Sequence, residues 1–187
     1  VELVPTKTVA SQEPQSKGNT MTTDTVDTAK LWDMIKDIKF GMFTARHGNG
    51  HLHSRPMTTQ NGANDRGAVL WFFMSRQGDP VADLQAASEV NVAYADTGCD
   101  SYVSVSGTAR LVEDDAKKKE LFNTFAKAWF PGGPTDPDLA LVAVVIAHAD
   151  YWDVKTNKAV QLFRMAKAAI TGEPPTDMGE HAKVRMS

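Results

Sequence analysis

Between Gly41 and Val154 the apolar period changes repeatedly from two to 3.6 and back, with clusters of Gly, Asn, Asp or Pro standing where it changes. This pattern does not describe a helical bundle. It does not describe a doubly wound fold either, because the helical stretches fail to alternate strictly with the strand-like ones. About six strands with helices inserted between them predict an α+β fold on an antiparallel barrel or a strongly coiled sheet.

The strands are read as follows. Met42-Phe43-Thr44-Ala45-Arg46 and His51-Leu52-His53-Ser54-Arg55-Pro56-Met57 flank Gly48-Asn49-Gly50, which reads as a hairpin. After a turn cluster at 61–67, Ala68-Val69-Leu70-Trp71-Phe72-Phe73-Met74 is apolar on both faces, predicting a central strand and, with the hairpin, a meander. The stretches 90–95 and 102–109 are two more strands, joined by Asp96-Thr97-Gly98-Cys99-Asp100. In the second of them Val103, Val105, Ala109 and Leu111 point one way and Tyr102, Ser104, Ser106, Thr108 and Arg110 the other. A polar face that long is either solvated or covers a ligand or partner. The apolar run from Leu139 to Ala147 reads as a buried strand, continued by residues 148–154.

Helices are expected in four places. Asp27 or Thr28 caps the first, whose Leu31, Met34, Ile35 and Ile38 recur at helical spacing. A short one starts at Asp79-Pro80, with an N-cap carboxylate and an N1 proline, and places Val81, Leu84 and Ala87 on one face. A third runs from Asp114-Asp115 through Trp129 and is ended by Phe130-Pro131-Gly132-Gly133-Pro134; the last carries Val160, Phe163, Met165, Ala169 and Ile170. Residues 1–26 read as a disordered leader, 27–172 as one domain and 173–187 as a flexible tail. Met21 leaves open whether the stretch before it is an extension or a genuine tail.

A chain of 187 residues that is 42% apolar can bury one good core. Twenty Lys plus Arg against 23 Asp plus Glu, with no basic run, argue against a nucleic-acid partner. No apolar run approaches the roughly 18 to 20 residues of a membrane helix, so no span is expected. A single cysteine, Cys99, allows neither an internal disulfide nor a Cys-based zinc site and suits a reducing cytoplasm. Dinucleotide, P-loop and hydrolase-elbow glycine motifs are all missing. His51 and His53 share a strand face but have no evident third ligand, so no metal is expected. No acid/base pair is legible, and catalytic residues stay unassigned.

Six strings in order carry a resemblance: Ser54-Arg55-Pro56-Met57, Trp71-Phe72-Phe73, Tyr102 through Ala109, Ala128-Trp129-Phe130-Pro131-Gly132-Gly133, Tyr151-Trp152-Asp153 and Met165-Ala166-Lys167-Ala168-Ala169. From residue 29 to 172 the chain resembles the general stress protein 26 branch of the pyridoxamine 5′-phosphate oxidase-like family. The resemblance implies an antiparallel split β-barrel with peripheral helices, forming a homodimer that holds FMN in two clefts between subunits. It implies that Arg55, Pro56 and Met57 run alongside the flavin, and that Phe73, Met74, Ser75 and Arg76 approach its ribityl chain and phosphate. Trp129 and Trp152 match aromatic positions near the cleft, and Tyr102 and Ser104 are further candidates for it. Where many relatives carry a cation a few residues after Arg76, this chain has Asp79-Pro80. The function implied is an FMN-dependent oxidoreductase acting on a small-molecule redox substrate. The alternative is a non-catalytic protein that stores, senses or buffers flavin. FAD, deazaflavin and haem are other ligands of this fold, haem favouring His51 or His53. A true pyridoxamine 5′-phosphate oxidase needs a second cation-rich phosphate site, for which the distal half has only scattered Lys and Arg.

Overall fold

Residues 23–62, 64–154, 167 and 180–185 are described by a computed structural model. Helix α1 (Thr23–Ile38) leads into the hairpin β1 (Phe40–Arg46) and β2 (Leu52–Thr58), and β3 (Val69–Ser75) is followed by α2 (Asp79–Ala86). Then come β4 (Glu89–Asp96), β5 (Ser101–Val112), α3 (Asp115–Leu121), α4 (Thr124–Trp129), a 3-10 turn (Gly133–Thr135), β6 (Leu139–Asp153) and β7 (Glu180–Arg185). All pairings are antiparallel, in the order β2-β1-β4-β5-β6-β3, with β7 also on β6. This is the α+β antiparallel split barrel expected from the sequence. No described helix is long and apolar enough to cross a membrane.

Alternation on the strands sets inside from outside. Phe43 and Ala45 of β1, Val90, Val92 and Tyr94 of β4, and Val103 and Val105 of β5 face a core that α1 closes with Leu31, Trp32, Met34 and Ile35. The inward set read on β5 runs unbroken along its length, because the bulge between the two strands lies in β6. Ser106 faces His148 while Gly107 faces Ile146, so Ala147 is the extra residue, and the inward set of β6 shifts from Val142, Val144 and Ile146 to Ala149 and Tyr151. The hairpin turn closes as expected, with His47 N–H donating to His51 (2.8 Å) and Gly50 at φ 86°, a conformation that favours glycine.

Six expectations need correction. Among the described residues the strand from Val69 is not central: it pairs only with β6, and the predicted meander fails because β2 and β3 form no ladder. It is apolar on both faces for another reason. Leu70, Phe72 and Met74 enter the main core, while Trp71 and Phe73 lie beneath the α3–α4 pair with Leu121, Ala126 and Phe130. Across the seam, Gln60 N–H donates to Trp71 O (2.9 Å), and the Asn61 carboxamide bridges Val69 O and Trp71 N (2.8 Å each). Asn61 thus supplies from a side chain what a neighbouring strand would supply from its backbone.

The helix expected from 114 to 129 is two helices. Asn123 breaks it by accepting from the N–H groups of Phe125 and Ala126, an N-cap placed mid-stripe. Helix α1 begins at Thr23, inside the expected leader, and α2 is capped by Gly78 with Asp79 in its first turn. The expected flexible tail contains β7, clipped to α1 and β6 by Lys30, which pairs with Glu180 and with Asp153 (3.0 Å). Burial disfavours the Lys30 ammonium, but Glu180 and Asp153 together raise its pKa above the ordinary value. The expected last helix, apart from Lys167, lies outside the described residues.

Candidate functional site

The outer face of the sheet presents large apolar side chains to solvent. Ala95, Tyr102, Trp152 and His181 stand side by side across β4, β5, β6 and β7, and the rings of Trp152 and His181 stack at 4.9 Å. Tyr102 and Trp152 are 38% and 40% exposed, and Phe40 and Met42 of β1 extend the same face. Ser104 lies in the next row, between Ala93 and Asp150, and its Oγ accepts from the Asn91 amide (2.9 Å). Pro56 also faces outward, opposite Met42. The polar strand face read in the sequence is therefore a mixed aromatic and hydroxyl surface.

The other predicted residues fall elsewhere. Met57 turns inward and packs against the core, and Met74 is core outright. Phe73 packs with Phe122 and Phe130 under α3–α4. Ser75 ends β3 and Arg76 follows it; there Ser75 Oγ donates to Asp138 (2.9 Å) and Arg76 grips Glu113 (2.9 Å). Trp129, on α4, is 82% exposed. Tyr102, Ser104, Trp152 and Pro56 thus share one face, whereas Ser75, Arg76 and Trp129 stand apart from it. Two clefts of about 660 and 440 Å³ exist among the described residues, and none of the predicted residues lines either one.

Arg55 belongs to a cluster that sequence reasoning missed. Asp83, buried on α2, accepts from His47 Nδ1 (2.9 Å) and Gly48 N (3.3 Å) and lies 3.6 Å from Arg55. His53 stacks on His47 at 4.5 Å. The available signal was an aspartate between Val81 and Leu84 on the buried side of a short helix. A buried carboxylate needs several donors, and here they fix the hairpin turn to the barrel end. Asp83→Ala is expected to destabilise the protein by about 1–3 kcal/mol, read from its urea midpoint, because two donors lose their acceptor and Arg55 loses its counter-charge. An unchanged midpoint would show the cluster to be incidental.

Residues 26–176 match the model of the family described as pyridoxamine 5′-phosphate oxidase like. Protein bli-3 of Neurospora crassa is 31% identical over 150 residues, 74% of this chain and 70% of that protein. A Jannaschia sp. CCS1 structure bearing the general stress protein 26 name superposes with a TM-score of 0.68 at 28% identity, over 87% of this chain and 99% of that one. The general stress FMN/FAD binding protein of Xanthomonas citri is 34% identical, with a TM-score of 0.62 over 70% of this chain and 90% of that one.

Proposed function

The chain belongs to the pyridoxamine 5′-phosphate oxidase-like family, and from that premise we propose that it binds FMN between two copies of itself and works as a flavin-dependent oxidoreductase. The observation that carries this reading is the exposed aromatic row of Tyr102, Trp152 and His181, continued by Phe40 and Met42 on one sheet face. A contiguous apolar face of this kind is a surface for burial against something else, and a second copy brings an identical one. The dispersal of the predicted residues supports the same reading. Outer-face residues of one copy and Ser75, Arg76 or Trp129 of the other would complete a cleft that neither copy forms alone.

The side chains are of the kinds a flavin requires. Tyr102, Trp152 and Trp129 offer flat apolar walls, Ser104 and Asn91 offer polar groups to a ring edge, and Ser75 and Arg76 offer a hydroxyl and a guanidinium to a phosphate. Phe73 and Met74 contribute only through their backbone, since their side chains are buried. When bound, the flavin supplies the electron transfer, and the residues of the chain position it and exclude water.

An absorbance spectrum of the purified protein, an FMN titration and light scattering test the proposal. The expected result is a yellow dimer, or a dimer that becomes yellow with FMN. A monomer that rejects FMN at high concentration would end the reading. Rapid flavin reduction by NADH or NADPH with turnover of an electron acceptor supports the oxidoreductase, whereas a bound but unreactive flavin supports storage or sensing.

A further inference from the structure

The turn after β3 is an anion seat that the chain fills with its own carboxylates. Ser75 Oγ and the Gln77 N–H both donate to Asp138 Oδ1, at 2.9 and 3.2 Å, and the Arg76 N–H donates to the Asp138 carbonyl (2.7 Å). The Arg76 guanidinium holds Glu113 through both terminal nitrogens, at 2.9 and 3.2 Å. The almost buried Lys118 brings its Nζ to 3.4 Å from Glu113 and 3.6 Å from Asp115. A hydroxyl and a backbone N–H on Asp138, and a guanidinium and an ammonium on Glu113, are donors of the kinds that recognise phosphate. Here they are spent on carboxylates.

We propose that Asp138 and Glu113 are built-in competitors for the flavin phosphate, so that this chain distinguishes FMN only weakly from a flavin without phosphate. The inference rests on the flavin reading above. An arriving phosphate meets two obstacles of different kinds. Glu113 is 64% exposed and can swing into water, leaving Arg76 and Lys118 to the phosphate. Asp138 is held from three sides by the turn itself, so its charge stays beside the incoming dianion. The Arg76 hydrogen bond also holds the Glu113 carboxyl below the usual carboxylate range, so this competitor keeps its charge into more acidic solution than an unpaired glutamate would.

Dissociation constants for FMN and for riboflavin, measured by fluorescence quenching on the full chain, test the proposal in Glu113→Gln and Asp138→Asn. Glu113→Gln should tighten FMN by about fivefold, the scale of one exposed ion pair released, and leave riboflavin unchanged. Asp138→Asn keeps the acceptor oxygen for Ser75 and Gln77 and should tighten FMN by about tenfold, again without effect on riboflavin. A wild-type preference for FMN over riboflavin of about a thousandfold or more would overturn the proposal. So would variants in which both ligands shift together or neither shifts. Failure of every variant to bind either flavin would remove the flavin reading itself, and this inference with it. If circular dichroism shows Asp138→Asn to be misfolded, the exposed Glu113→Gln decides alone.

Discussion

Gly107→Ala is expected to lower the stability of the folded chain by about 3 kcal/mol, the upper range for forcing an extra group into a packed interior. A Cβ at this position would lie 2.2 Å from the Val145 carbonyl oxygen and 3.0 Å from its carbon. Both atoms are backbone, so no side-chain rotation relieves the contact. The position is also the hinge of the sheet. Across the bulge β6 exchanges partners, pairing with β3 up to Val145 and with β7 from His148. Relief by backbone shift would therefore disturb two ladders at once. Urea denaturation followed by circular dichroism reads the effect as a lowered midpoint at an unchanged slope. An alanine variant as stable as the parent would show that the bulge can move, contrary to the close approach seen there.

Phe72→Ala is expected to cost about 4 kcal/mol, the middle of the range for emptying a buried aromatic site. Phe72 is fully buried and meets Phe43 edge to face, with ring centroids 5.3 Å apart and planes at 80°. The contact joins β3, at one end of the strand order, to β1 near the other, so it crosses the barrel interior where no hydrogen-bond ladder links the two. Neighbours held on separate strands cannot collapse fully into the space left behind. Phe72→Leu should recover most of the loss, and the same urea titration compares the two. Equal midpoints for the leucine and alanine variants would mean that ring volume at this site contributes nothing.

What the sequence disclosed followed from local periodicity. The alternation along Tyr102–Leu111 gave the correct inner and outer faces of β5, and the Gly48-Asn49-Gly50 cluster gave the hairpin. What stayed hidden was non-local. Trp71 and Phe73 are apolar on the outward side because α3 and α4 cover them, and covering by a distant helix imitates the pattern of a central strand. Asn123 reads as one more polar residue in a helical stripe until its carboxamide is seen capping α4. For the candidate site, the resemblance picked residues whose places only the fold could sort: Tyr102, Ser104 and Trp152 onto one surface, Met57 and Met74 into the core. Asp138 and Glu113 gave no signal, because an acidic residue in a loop looks solvated until a donor is found opposite it.

The fastening of β2 to β3 by Asn61 gives the barrel a joint unlike its others. Elsewhere, widening the cylinder means breaking a whole ladder of paired backbones; at this place the line is held by the single backbone bond from Gln60 to Trp71 and by a carboxamide that can rotate away. The circumference of the molecule thus has one line along which few hydrogen bonds would have to break, while every strand keeps its neighbour.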